Sequence, residues 1–157
     1  LLKHNHYFGT WMPYWEVGVH SITLGKFMLH EGETYREAKQ VKDVLASRDA
    51  MFRYCSFESA NLEGGDFDDV FISCEFRDLD FYWGMFNLAL FFNCKFERCT
   101  FRGTSFAGCR FMESTFADCR FLKDNLAAPC DAPDTKLFAC SAENCEGWNE
   151  LFDNRVP

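Results

Sequence analysis

Phe91-Phe92-Asn93-Cys94-Lys95-Phe96-Glu97-Arg98-Cys99-Thr100-Phe101-Arg102-Gly103-Thr104-Ser105-Phe106 carries a phenylalanine at every fifth position. The spacing extends outward through Phe76, Phe81, Phe86, Phe111, Phe116 and Phe121 to Leu126. An earlier run, Phe52, Phe57, Leu62, Phe67 and Ile72, keeps the same step, and the interval from Ile72 to Phe76 is one residue short. A period of five suits neither regular element. On a helix it turns each side chain by roughly 140° from the last, and on a strand an odd step changes face every time. The chain must therefore turn a corner once per repeat, so that each Phe points at a common axis. That is a solenoid.

The residue two before the large apolar one is small or slender at most repeats: Ala50, Cys55, Ala60, Gly65, Val70, Cys74, Gly84, Ala89, Cys94, Cys99, Thr104, Cys109, Ser114 and Cys119, with only Leu79 and Asp124 departing clearly. Beside a bulky inward Phe there is room only for a small second inward side chain. Allowing for the short interval, Cys55, Cys74, Cys94 and Ser114 fall in one column, and Cys99 lies in line with Cys119. These cysteines read as apolar filler. No CxxC pair exists and each columnar thiol faces a dry core, which excludes a zinc site there.

The small-x-(Leu/Phe)-x-x pattern of Cys94-Lys95-Phe96-Glu97-Arg98, Cys109-Arg110-Phe111-Met112-Glu113 and Ala60-Asn61-Leu62-Glu63-Gly64 resembles the pentapeptide repeat family. The resemblance implies an all-β solenoid, a right-handed quadrilateral β-helix with twenty residues per coil. Residues 50–126 then make about four coils. Residues 1–49 are expected to form an N-terminal helical and strand cap, and 127–157 a C-terminal cap and tail with a short helix over Gly147–Phe152. Glu33 to Ala46 reads as a helix, with Thr34 and Glu37 as a capping box and Ala38, Val41 and Leu45 as its apolar stripe. Trp11, Tyr14 and Trp15 either pack on the solenoid or face a partner. The C-terminal segment is either a cap or a homodimer contact.

The 157 residues carry a net charge of −8 with a pI near 4.9, which excludes binding nucleic acid through a basic face. Nine cysteines cannot all pair within the chain, and the first residues lack the charged-then-apolar run of a signal peptide, so a reducing cytoplasm is expected. No P-loop, GxGxxG, HExxH or GxSxG occurs, and no cofactor or metal is expected. His4 and His6 alone do not make a metal site. The carboxylates are expected on outward positions without a cleft, so catalysis is not expected.

Charge is unevenly spread. Residues 58–94 hold eight acidic residues and one basic, whereas residues 95–123 hold six basic and three acidic. Asp66, Asp68, Asp69, Asp78 and Asp80, with the adjoining Tyr82, Trp83 and Phe92, are the candidate partner-binding residues. Met85, Leu88 and Leu90 are expected to lie under intramolecular cover. An acidic, rigid protein with an aromatic patch fits an inhibitor that occludes a basic protein surface, such as a bacterial immunity protein against a nuclease-type toxin. The resemblance also brings a DNA mimic acting on DNA gyrase, against which the basic stretch 95–123 counts. A structural adaptor is the third reading.

Overall fold

The corner that the period demands is made by one residue per repeat in the left-handed conformation. Two residues after an inward Phe, Tyr54, Ser59, Ser73, Asp78, Trp83, Leu88, Asn93, Arg98, Glu113 and Asp118 all have φ between 51° and 60°. Gly64, Gly103 and Gly108 take the same place without the steric cost of a Cβ. The backbone N–H of each corner residue donates to the coil that follows, as from Asn93 to the Met112 carbonyl (2.9 Å) and from Arg98 to the Ala117 carbonyl (2.9 Å).

In the computed structural model, which describes residues 28–47 and 49–153, short parallel strands stack into about five turns of solenoid. Three of its four faces are sheets. Face 1 contains Met28–Glu31, Ala50–Arg53, Val70–Ile72, Leu90–Phe92, Arg110–Met112 and Lys136–Phe138. Face 2 runs from Thr34–Tyr35 through Ser56–Glu58, Glu75–Arg77, Lys95–Glu97 and Thr115–Ala117 to Ser141–Glu143. Face 3 contains Asn61–Glu63, Asp80–Tyr82, Thr100–Arg102 and Arg120–Leu122. Face 4 is a ladder of single bridges, Asp66 to Met85 to Ser105 to Asp131.

Inside, the phenylalanines form four ring columns. Phe76, Phe96 and Phe116 stack at 4.6 Å between centroids, and Phe71, Phe91 and Phe111 at 4.9 and 4.7 Å. Phe81, Phe101 and Phe121 repeat this at 5.1 and 5.0 Å, while neighbouring columns meet edge to face. Both geometries suit the ring quadrupole.

The short interval lies one repeat earlier than the spacing suggests. Phe71, not Ile72, pairs with Phe52 and Phe91 and is fully buried, so the missing residue falls between Phe67 and Phe71. Ile72 points outward on face 1. The small inward position before it is consequently Asp69, not Val70, and Asp69 is only 2% exposed.

The solenoid also reaches further in both directions than residues 50–126. At its start His30 and Tyr35 occupy inward positions, stacked on Phe52 (4.8 Å) and Phe57 (5.3 Å). After Leu122 a loop inserts six residues, so that Arg110 pairs with Lys136 and Thr115 with Ser141. Leu126 lies on this loop and is exposed, not inward. The last coil places Ala132, Leu137 and Ala142 after Phe106, Phe111 and Phe116 in their columns. The lost ring volume is refilled from above: Trp148 packs on Phe116 and Phe121, and Phe152 on Phe106, Phe111 and Phe121. The terminal helix that carries Phe152 is one π-helical turn, Asn149–Asp153.

The first helix is shorter than expected, Ala38–Leu45, because Thr34 and Tyr35 are drawn into face 2. Thr34 therefore cannot cap it, and the preceding Glu37 makes no side-chain capping bond. Val41 and Leu45 are buried while Ala38 is exposed, so the apolar stripe is narrow. Residues 1–27, with His4, His6, Trp11, Tyr14 and Trp15, lie outside the described residues. Among the described residues no helix is long and apolar enough to cross a membrane.

The inward cysteines do more than fill space. Cys74, Cys94, Cys99 and Cys119 each donate to the carbonyl of an inward Phe one coil earlier, at 3.3–3.4 Å, as the Thr104 and Ser114 hydroxyls also do. All nine thiols are free. Burial pushes Cys109 up to about 12 and Cys94 well above its ordinary value, so neither supplies thiolate at neutral pH. Under non-reducing denaturing conditions a maleimide should label all nine cysteines, with Cys94, Cys99, Cys109 and Cys119 protected in the native protein. Rapid native labelling of those four would overturn their inward assignment.

Candidate functional site

The stacking decides which charges meet, and it dismantles much of the acidic block. Residues about twenty apart in sequence lie one strand spacing apart, so residues 75–82 sit beside residues 95–102. Arg98 hydrogen-bonds both oxygens of Asp78 (2.7 and 2.9 Å) and holds that carboxyl below its usual range. Arg102 reaches Asp80 at 3.3 Å, Lys95 reaches Glu75 at 3.8 Å, and Arg77 is shared among Glu58, Glu75 and Glu97. Exposed pairs of this kind add little stability. Their effect is to neutralise faces 2 and 3.

Face 4 is different. Its outward positions are Asp66, Met85, Ser105 and Asp131 in one column, and Asp68, Asn87, Ala107 and Pro133 in the other. No lysine or arginine occupies any of them. Asp68 and Asp131 are exposed and Asp66 is half-buried; Asp134 lies exposed at the adjoining corner. Between these carboxylates stand Met85, 44% exposed, and Leu88, 78% exposed. Among the described residues nothing covers Met85 and Leu88, and the helix packs near Asn61–Glu63 on another face. Leu90 is half-buried on face 1.

The partner candidates therefore do not form one site. Asp66 and Asp68 belong to face 4. Asp69 is withdrawn from any surface: its Oδ1 accepts the Ala50 N–H at 2.9 Å inside the solenoid. Asp78 and Asp80 are spent in ion pairs. Phe92 lies on face 1, away from Trp83. The Tyr82 and Trp83 rings pack against each other, tilted by 46° at 4.6 Å between centroids, and anchor the inserted loop. The Trp83 indole N–H donates to Asp124 Oδ2 at 2.6 Å, and the Asn125 N–H donates to the Tyr82 hydroxyl at 3.3 Å. Asp124 Oδ1 accepts from Leu126 and Ala128, and the indole contact lowers the Asp124 pKa. Gly103 lies directly beneath, at φ +54°, where a Cβ would sit 2.9 Å from Asp124 Cβ.

Two signals for face 4 were missed in the linear sequence. One is the column Asp66–Met85–Ser105–Asp131, which is visible only once the inserted loop is discounted. The other is Leu88 itself, at φ 60°. Small and polar residues take that conformation more easily than leucine, and an exposed leucine gains nothing there from burial. Neither backbone preference nor core packing accounts for it.

Residues 89–122 match the family model described as pentapeptide repeats (8 copies). The coils over those residues match pentapeptide repeats. Among solved structures the chain is similar to QnrB1, a plasmid-mediated fluoroquinolone resistance protein, at 21% identity and a TM-score of 0.36. That match covers 72% of this chain and 57% of QnrB1, little more than half its length. A pentapeptide repeat protein from the cyanobacterium Cyanothece 51142 is similar at 12% identity and a TM-score of 0.32, over 76% of this chain and 84% of that one. No curated protein matches the chain. The repeats themselves explain the geometry: a Phe and a small residue inward, three side chains out, and any surface property written in columns.

Proposed function

We propose that this protein is a non-catalytic inhibitor that binds another protein through face 4, in the manner of an immunity protein that occludes the basic surface of a nuclease-type toxin. The observation that carries the reading is Leu88, an exposed leucine at a left-handed corner, flanked by Met85 and rimmed by Asp66, Asp68, Asp131 and Asp134. An apolar centre with a charged rim is the anatomy of a protein interface, and a rim rich in carboxylates favours a basic partner. A cleft that gathers titratable groups, His30, Glu33, Tyr35 and Asp43, lies at the first coil beside the helix and not on face 4. The gyrase-directed mimic fits less well, because a duplex-like surface needs negative charge along its length and faces 2 and 3 are paired off.

The product of an adjacent toxin-like reading frame is the partner to test. Replacing Asp66 and Asp68 by Asn should slow association and flatten its salt dependence, since exposed charges steer encounter. Leu88→Ser should leave association nearly unchanged and speed dissociation on the order of tenfold, the usual kinetic sign of a lost apolar contact. Both variants should melt within a few degrees of wild type. Unchanged kinetics in both would refute face 4 as the interface, and stoichiometric inhibition of gyrase supercoiling would favour the mimic.

A further inference from the structure

Face 1 carries a second apolar surface, built from residues scattered across the sequence. Its outward columns are Leu29, Met51, Val70, Leu90, Arg110 and Lys136, and Glu31, Arg53, Ile72, Phe92, Met112 and Phe138. The apolar members form one diagonal band from Leu29 to Phe138. Glu31 and Arg53, paired with each other, mark one flank, and Arg110 and Lys136 the other. Leu29, Phe92 and Phe138 are exposed.

The band has the shape of a strap site. Crossing six strands at ~4.8 Å spacing, it is roughly 24 Å long, and its two columns lie about 7 Å apart. That footprint is far smaller than the ~800 Å² per partner of a stable globular interface. A second copy meeting it flat would bury too little, whereas one or two extended segments would cover it.

The chain holds such a segment and delivers it to the right place. Residues 1–27 run directly into Met28, the first residue of the first strand of face 1, next to Leu29 at the head of the band. Fully extended they could reach about 90 Å, enough to traverse the band and return. They include Tyr7, Phe8, Trp11, Met12, Tyr14, Trp15, Val17, Val19, Ile22, Leu24 and Phe27, with three charged residues, Lys3, Glu16 and Lys26. Apolar surface left on both the segment and the face would be costly in water. We infer that residues 1–27 lie across face 1 as an intramolecular strap over the Leu29–Phe138 band. This places the N-terminal aromatics on the solenoid and leaves face 4 open.

The full-length protein tests this with the photo-crosslinking residue p-benzoylphenylalanine placed at Phe92 or Phe138, and at Lys95 on face 2 as control. Irradiation should give a product of monomer mass whose crosslinked peptide comes from residues 1–27, from the face 1 sites and not from Lys95. Crosslinks to a second copy, equal yield from the control, or none from face 1 would each overturn the strap. A second measurement needs no crosslink. In Ile72→Asp/Phe92→Asp, amide exchange within residues 1–27 should speed at least tenfold, while inward-facing strands such as Lys95–Glu97 keep their protection. Unchanged exchange in residues 1–27 with an intact solenoid would also overturn it. Neither result depends on a face 4 partner, so the strap and the proposed function can fail separately.

Discussion

Phe96→Ala should lower the unfolding free energy by about 3–5 kcal/mol, the range for deleting a fully buried aromatic ring. Phe96 is 1% exposed and lies in mid-solenoid, with Phe76 below it and Phe116 above it at 4.6 Å and the edge of Phe91 beside it at 5.4 Å. Coils contact only their neighbours, so the cavity removes stacking on two sides and the structure has no third layer with which to fill it. Typical domains are stable by only about 5–15 kcal/mol, which makes this a large fraction of the whole. A urea melt should show the midpoint falling. Phe138→Ala supplies the contrast: that ring is 56% exposed on face 1 and its loss should cost well under half as much. Equal effects at the two positions would mean that the ring columns do not hold the coils together.

The Phe period made the solenoid legible because it is a one-dimensional signal, and the inward residue type hardly varies from Phe57 to Phe121. Legibility failed wherever that type changed. At Phe71-Ile72 two large apolar residues are adjacent, and spacing alone chose the wrong one; the charge two positions earlier depended on that choice. His30 and Tyr35 begin the core without being aliphatic or Phe, so the first coil looked like cap. In the last coil Ala132 and Ala142 stand where Phe is expected, because Trp148 and Phe152 enter from above. A weaker trace of that coil was present in Cys130, Thr135, Cys140 and Cys145, which keep the small-residue period of five after the loop.

The surfaces were harder to read, for a different physical reason. In a solenoid, neighbours in space are about twenty residues apart, so a run along the sequence crosses corners and changes face every five residues. The aromatic run Phe81–Phe92 is therefore not a patch. Trp83 holds a loop, Met85 and Leu88 belong to face 4, and Phe92 belongs to face 1. Likewise the acidic and basic blocks seemed separate in sequence, and the parallel register lays one upon the other.

The second large effect is expected at Asp69 and depends on pH. The missing residue between Phe67 and Phe71 puts this carboxyl at an inward position where other coils carry Ala, Cys or Thr. One oxygen accepts the Ala50 N–H, and the other is buried without a hydrogen-bond partner. Burial, reinforced by the nearby charges of Asp68 and Asp49, raises its pKa from 3.8 to about 6. The folded protein thus prefers Asp69 protonated, and the sign of the linkage follows. Its stabilising contribution is fully present below about pH 4 and is lost as pH rises through 6. A difference of about two units corresponds to roughly 3 kcal/mol at 1.36 kcal/mol per unit. Asp69→Asn keeps an oxygen for the Ala50 N–H and removes the ionisation. The variant should exceed wild type in stability by about 2–3 kcal/mol at pH 8, and the gap should close by pH 4. Urea melts across that range measure it directly. A gap that stays constant with pH would show that the carboxylate is not penalised by burial. A variant weaker than wild type at pH 8 would show that the ionised oxygen makes a favourable contact inside the coil, and the position of the missing residue would then need to be reassigned.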